Sequence, residues 1–209
     1  MSYFPMFIDL AEKKCVIIGG GMVALQKLKV LHDFSADIKL IAREICSPVR
    51  EFCNHNQIFY CEKEYEEKDL QEAFLVVAAT NQESLNRSVY ETCVKRRIPV
   101  NVVDQPSLCT FIFPAYLREQ NVVAAFSSSG KSPATVQYLK ECMKDYLTEE
   151  VGEAAEYLGA IRPYVQQHTE NMQQRKMIYR KILERILQDG AIPDEKELKE
   201  IIEQEVENP

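Results

Sequence analysis

The feature that most constrains this chain is an apolar strand followed by three glycines and an amphipathic helix near the start of the sequence. Residues 15–18 are apolar and partly β-branched, which predicts a strand buried on both faces. The glycines occupy positions 19–21, and from Val23 apolar residues recur at helical spacing as far as Phe34. A strand, a glycine turn and a helix in this order are the parts of a dinucleotide-binding βαβ unit.

Each position of this turn has its own physical requirement. Gly19 permits the tight turn, and Gly21 has no Cβ that would keep the backbone away from a pyrophosphate. Ala24 is small enough for the helix to lie close to the strand. The pyrophosphate would sit at the helix N-terminus, where free N–H groups and the helix dipole favour an anion. The alternative is a turn that is merely rich in glycine, but the flanking strand and helix favour a cofactor site that includes Gly19, Gly20 and Gly21.

The composition excludes several classes of partner. The 209 residues carry 25 Lys and Arg against 32 Asp and Glu, a net charge of −7, so nucleic acid is not expected. No run approaches the roughly 18 apolar residues that span a bilayer, and the N-terminus lacks signal-peptide features, so we expect a cytoplasmic protein with no membrane partner. Seven cysteines without C-x-x-C spacing indicate reduced thiols, and three scattered histidines predict no metal site.

Strands and helices alternate through the first half of the chain. This alternation predicts an α/β fold with a Rossmann-type parallel sheet and an NAD-binding domain over residues 1–113. One predicted helix begins with Ser47 as its N-cap and Pro48 at its first position. After the first strand, strands are predicted at 37–42, 58–61, 73–79 and 99–103. After the first helix, helices are predicted at 47–54, which is the one that begins at Ser47, and at 84–96.

The pattern changes after Pro114. A strand at 121–126 and a helix from Ala134 predict a small sheet extension with a helix, and beyond Thr148 only helical spacing is found. We divide this half into a small α+β dimerisation segment, 114–147, and a C-terminal helical domain, 148–209. These helices cannot bury all their apolar faces alone, which predicts a partner subunit.

Two polar positions follow strands in the places where α/β sheets bind ligands. Asp104 comes at the end of the 99–103 strand, where chemistry is expected, although Asp-Gln-Pro-Ser is also good turn composition and both interpretations stay open. Ser127-Ser-Ser-Gly-Lys-Ser resembles part of a P-loop, but position 125 is Ala where that motif needs glycine, so we reject nucleotide hydrolysis. A turn rich in hydroxyls and N–H groups still suits the carboxylates of a substrate.

Five motifs occur in order: Phe4-Pro-Met-Phe, Gly19-Gly-Gly-Met-Val-Ala, Asn101-Val-Val-Asp, Phe111-Ile-Phe-Pro-Ala and Ser127-Ser-Ser-Gly-Lys-Ser-Pro. On them the chain resembles precorrin-2 dehydrogenases and the N-terminal module of siroheme synthases. The resemblance covers essentially the full length and is weakest near the C-terminus. The resemblance implies an NAD-dependent oxidoreductase that converts precorrin-2, a tetrapyrrole, to sirohydrochlorin, and a homodimer with interlocking middle segments. Some members also insert Fe²⁺ to give siroheme.

The resemblance also implies roles for individual residues. Asp104 matches the family's acidic active-site residue, and Ser128 lies near the tetrapyrrole in a turn where we also assign substrate binding to Ser129 and Lys131. The residues expected to contact NAD beyond the glycines are Met22 and Val23 at the helix start and Arg43 and Glu44 beside the adenosine ribose.

Two positions depart from the family pattern, and one alternative function stays open. Gln26 stands where the family commonly has Arg, and Arg43 stands where its residue is often apolar. An Arg at 43 can pair with a 2′-phosphate, so NADP is open beside NAD, whereas Glu44 favours NAD. A non-catalytic NAD-binding sensor or regulatory module is the other candidate, although a sensor would not need Asp104 and the serine-rich turn together.

Overall fold

The computed structural model describes residues 3–207. The chain forms two compact units, one ending at Phe113 and the other beginning at Pro114. The three-part division made from the sequence stays a prediction.

The first unit is a five-stranded parallel sheet with helices between its strands. Its strand order is β3-β2-β1-β4-β5, which confirms the predicted α/β Rossmann-type sheet. The strands are β1 (Lys14–Ile18), β2 (Asp37–Ala42), β3 (Phe59–Glu62), β4 (Leu75–Ala78) and β5 (Val100–Val102), and the helices are α1 (Met22–Asp33), α2 (Ser47–His55) and α3 (Glu83–Arg96).

Both faces of this sheet are covered, which explains the unbroken apolar runs of its central strands. All four residues of β4 and all but the first of β1 are buried. Successive side chains of a strand alternate between the faces. Ile17 therefore packs with Leu28 of α1 in one core, whereas Ile18 packs with Val89 of α3 in the other. The prediction of a first strand buried on both faces is confirmed.

The start of α2 differs from the prediction in one position. Cys46 is the N-cap and Ser47 is already helical, because the Cys46 carbonyl accepts hydrogen bonds from the N–H groups of Val49 and Arg50. The expectation that Ser47 is the N-cap was therefore wrong. Pro48 still lies in the first turn, where its missing N–H costs no helical hydrogen bond.

The second unit begins with an antiparallel hairpin and continues as four helices. The hairpin strands pair with each other through a turn at which Gln120 has a φ of 51°. The expected sheet extension was wrong, since these strands form a sheet of their own. The elements are β6 (Ala115–Glu119), β7 (Val122–Phe126), α4 (Pro133–Lys144), α5 (Glu149–His168), α6 (Met172–Asp189) and α7 (Glu195–Glu207).

The last three helices share a core of their own. Ile178, Ile182 and Ile186 lie one helical turn apart on α6 and are buried with residues of α5 and α7. Gly190 ends α6 in a left-handed conformation. Within residues 3–207, no helix has the length and apolar character needed to cross a membrane.

Candidate functional site

The carboxyl edge of the parallel sheet holds the candidate site residues of the first unit. The glycine turn follows β1, Arg43 and Glu44 follow β2, and Asp104 follows β5. The chain passes from β1 to β2 and β3 on one side of β1 and then crosses to β4 and β5 on the other side. Such a reversal opens a crevice at the carboxyl ends of the strands, where ligands of α/β sheets bind.

The first two glycines of the turn are required by the packing of the protein itself. Gly19 has a φ of 132°, and a Cβ added there would lie 2.2 Å from the backbone oxygen of Ala79. A Cβ at Gly20 would lie 2.2 Å from the backbone oxygen of Glu44. The Gly20 carbonyl also accepts a hydrogen bond from the Cys46 N–H at 3.0 Å. The turn is therefore fixed between the ends of β4 and β2.

Gly21 meets a different environment. A Cβ added to it would have no atom within 4 Å, so it would project into open space above the start of α1. Gly21 is the N-cap of α1, with no capping side chain and no acidic residue in the first turn. The first helical hydrogen bond is donated by Leu25 to the Gly21 carbonyl, which leaves the earlier N–H groups for a ligand. This arrangement fits a pyrophosphate.

We expect Gly21→Val to weaken NAD binding while leaving the fold intact. The valine side chain would fill the space that the pyrophosphate needs, and overpacking of this kind typically costs about 1–3 kcal/mol, or about 10- to 100-fold in affinity. Calorimetric titration with NAD measures the loss, and circular dichroism of the free variant checks the fold. Unchanged affinity in a folded variant would contradict this placement of the cofactor.

The residues after β2 are already partly engaged. Arg43 Nη2 lies 2.5 Å from Glu64 Oε1, and both side chains are exposed. Exposed ion pairs of this kind contribute little free energy, so the pairing of Arg43 does not decide between NAD and NADP. Glu44 is exposed and contributes its backbone oxygen to the packing against Gly20. Contacts of both residues with an adenosine ribose stay predictions, as do those of the exposed Met22 and Val23.

Asp104 has features of both interpretations that the sequence left open. It lies in a turn with a φ of 59°, a left-handed conformation that Asp adopts more readily than most residues. Its side chain is exposed, and within residues 3–207 its carboxylate makes no hydrogen bond or ion pair. Asp104 is thus a turn residue whose carboxylate remains available at the edge of the sheet.

Two neighbours of Asp104 fix the segment that follows β5, and sequence reasoning gave neither of them a role. Asn101 is buried within β5, and its Nδ2 donates a hydrogen bond at 3.0 Å to the Phe111 carbonyl. The Cys109 thiol donates to the Val102 carbonyl at 3.1 Å, and burial raises the pKa of this thiol. An amide side chain inside an apolar strand was the signal that could have identified Asn101.

Lys27 is a second residue whose surroundings emerge only in the structure. It is half-buried on α1, and its Nζ lies 4.4 Å from the centroid of the Phe113 ring. Burial lowers the pKa of Lys27, while the charges of Asp104 and Cys109 oppose that shift. The available signal was its position three residues after Ala24, on the sheet-facing side of the helix.

The predicted substrate turn lies in the second unit, between β7 and α4. Ser128 Oγ accepts a hydrogen bond from the Ser132 N–H at 2.9 Å, and Ser132 Oγ accepts one from the Thr135 N–H as the cap of α4. Ser129 has a φ of 54°, and the Lys131 side chain is exposed. The structure therefore brings Ser128, Ser129 and Lys131 together in one hydrogen-bonded turn.

The chain matches a known family over its first unit. Residues 6–115 fit the NAD_binding_7 model, which describes an NAD(P)-binding family. The chain belongs to this family. The cofactor class predicted from the glycine turn is thereby confirmed as NAD(P). Within residues 3–207, His, Cys, Asp and Glu side chains form no group of three or more that could hold a metal ion.

Similarity to curated proteins extends well beyond that model. The chain is 36% identical to a siroheme synthase of Ruthia magnifica over 187 residues, which cover 90% of this chain and 40% of that protein. It is 37% identical to a siroheme synthase of Baumannia cicadellinicola over 183 residues, or 88% of this chain and 40% of the relative. The chain thus spans about 40% of the length of these relatives.

A solved structure shares the fold of both units. The structure of SirC, precorrin-2 dehydrogenase, superposes with a TM-score of 0.70 over 98% of this chain and 100% of that one. The two sequences are only 21% identical, so this comparison establishes the fold and nothing beyond it.

Proposed function

We propose that this chain catalyses the NAD-dependent oxidation of precorrin-2 to sirohydrochlorin. The observation that carries the proposal is the extent of the likeness to siroheme synthases. The alignments cover up to 206 residues, whereas the NAD(P)-binding model ends at residue 115. A module that only binds the dinucleotide would not need the second unit to resemble those enzymes. The SirC structure, which covers both units, supports the same proposal.

The available side chains suit this reaction. Bound NAD⁺ supplies the hydride acceptor. The carboxylate of Asp104, which has no partner within residues 3–207, takes the substrate proton or orients a pyrrole N–H. Precorrin-2 is a polycarboxylate, and the turn carrying Ser128, Ser129 and Lys131 offers hydroxyls, N–H groups and an ammonium for carboxylates. The test is incubation of the protein with precorrin-2 and NAD⁺, followed by absorbance. No change in the tetrapyrrole spectrum would refute the proposal.

We also propose that the chain assembles as a homodimer through α4 and the β6–β7 hairpin. Helix α4 has no buried residue, and no residue of either hairpin strand is fully buried. Tyr138 and Leu139 are exposed on α4, and Tyr146 is exposed just after the helix ends. Exposed apolar surface of this extent is typical of a contact with another chain, and a second copy buries it symmetrically.

We expect Leu139→Glu to dissociate this dimer, because a charge in the contact would be buried without a partner. Sedimentation at low micromolar concentration should give twice the 24.1 kDa chain mass for the unchanged protein and a monomer for the variant. Gln173→Glu, an exposed position on α6, controls for added charge and should remain dimeric. A 24.1 kDa species alone for the unchanged protein would refute the dimer.

We place the reaction in the cytoplasm. All seven cysteines are free thiols, and Cys15, Cys53 and Cys93 are buried. Burial raises the pKa of Cys15 and of Cys93 to about 12, so these thiols stay protonated and unreactive at neutral pH. Free thiols in this number suit a reducing compartment.

A further inference from the structure

Lys27 is a half-buried ammonium without an anionic partner. Its Nζ lies over the Phe113 ring at 4.4 Å, and within residues 3–207 it makes no hydrogen bond or ion pair. An ammonium in contact with an aromatic face gains some stabilisation, but this does not replace the water or carboxylate lost on burial. A half-buried ammonium without a hydrogen bond or an ion pair is suited to bind an anionic group of a ligand.

The position of Lys27 in the fold restricts which anion it can bind. Helix α1 begins at the carboxyl edge of the sheet, and helical side chains lean toward the helix N-terminus, so the Lys27 stem leads back toward that edge. Asp104, after β5, is close enough to act on the charge of Lys27. No ion pair within 4.0 Å joins the two groups, so each charge remains available to a ligand.

The sheet order assigns this corner to the substrate end of the crevice. The residues expected at the adenosine ribose, Arg43 and Glu44, follow β2, whereas Asp104 follows β5 on the far side of β1 and β4. A dinucleotide whose pyrophosphate lies at the glycine turn therefore extends its reactive end toward β4 and β5. The partner of Lys27 is accordingly an anionic group of the molecule that reacts there.

We propose that Lys27 binds a carboxylate of the tetrapyrrole substrate and so holds the ring system beside Asp104. This inference rests on the proposed function and adds to it a binding residue in the first unit. The Phe113 ring limits the positions that the flexible lysine stem can adopt, which lowers the entropy lost when the carboxylate binds. Asn101 in turn anchors the segment before Phe113 through its bond to the Phe111 carbonyl.

The test compares Lys27→Met and Lys27→Gln with Lys27→Arg. Removing the charge should weaken sirohydrochlorin binding and raise the KM for precorrin-2 by about 10- to 100-fold, as for the loss of a charged hydrogen bond. The kcat should change much less, and Lys27→Arg should retain most of the affinity. Lys29→Met is the matched control, since Lys29 is exposed on the same helix and lies 5.9 Å from the Phe52 ring. It should bind both ligands normally.

Two titrations separate the outcomes. Sirohydrochlorin binding is followed by absorbance, NAD binding by calorimetry, and the fold of each variant by circular dichroism without ligand. An unchanged protein that binds no sirohydrochlorin would refute the proposed function. If Lys27→Met and the unchanged protein bind sirohydrochlorin equally and strongly, the role of Lys27 is refuted and the proposed function is not. Loss of NAD affinity in folded Lys27 variants would assign Lys27 to the cofactor and also overturn the inference.

Discussion

Asp104→Asn is expected to lower the rate of precorrin-2 oxidation about 10²- to 10⁴-fold, the usual contribution of a general acid or base. The substitution keeps the size of the side chain and removes its charge. It also suits the backbone, because asparagine tolerates the left-handed conformation that Asp104 adopts at a φ of 59°. The rate is measured by steady-state oxidation of precorrin-2, and NAD affinity should be unchanged.

Asp104→Ala distinguishes two roles of the carboxylate. If Asp104 removes a proton, the alanine and asparagine variants should lose activity to a similar extent. If it only orients a pyrrole N–H, asparagine should retain much more activity than alanine. Near-normal turnover in both variants would mean that Asp104 serves only the turn after β5.

Gly19→Ala is expected to destabilise the protein by about 2–6 kcal/mol, combining the cost of a strained backbone with that of overpacking. The φ of 132° is unfavourable for alanine, and the added Cβ would lie 2.2 Å from the backbone oxygen of Ala79. The Ala79 oxygen belongs to the backbone and not to a flexible side chain, so the chain at the end of β4 would have to move to relieve the clash. The free energy of unfolding is measured by urea titration with circular dichroism, without cofactor.

Gly21→Ala is the matched control for this change. Gly21 has an extended backbone, with φ −95° and ψ −174°, and its added Cβ would meet no atom within 4 Å. We therefore expect a stability close to that of the unchanged protein. Equal stability of the Gly19 and Gly21 variants would contradict the packing described for the glycine turn.

The sequence predicts the first unit well because strands that are buried on both faces require continuous runs of apolar residues. The strands β1 and β4 are covered on both faces, so nearly every residue in them must be apolar, and each lies inside or next to the predicted range. The glycine turn can also be predicted from the sequence, since the positive φ at Gly19 excludes most other residues. Strand burial and turn conformation depend on neighbouring residues in the chain, so a single sequence is enough to predict them.

The second unit and the surroundings of Lys27 depend on contacts that leave weaker traces. The sequence did not predict β6, because its residues are only half-buried and their apolar pattern is short. Helix α5 continues past Pro163, a residue that usually ends a helix. Lys27 and Phe113 are far apart in the chain, and their contact follows from the packing of α1 against the segment after β5. Residues of this kind can be recognised only after the fold is known.

The central claim is that the chain oxidises a tetrapyrrole with NAD⁺, and the most direct test is the stoichiometry of that reaction. Purified protein is mixed with precorrin-2 and NAD⁺ under anaerobic conditions, and NADH and sirohydrochlorin are quantified from their absorbance. The account predicts one NADH for each sirohydrochlorin formed, and no protein-dependent product when NAD⁺ is omitted. If the protein binds NAD⁺ but no NADH forms with precorrin-2, the chain is a non-catalytic NAD-binding module and the account is contradicted.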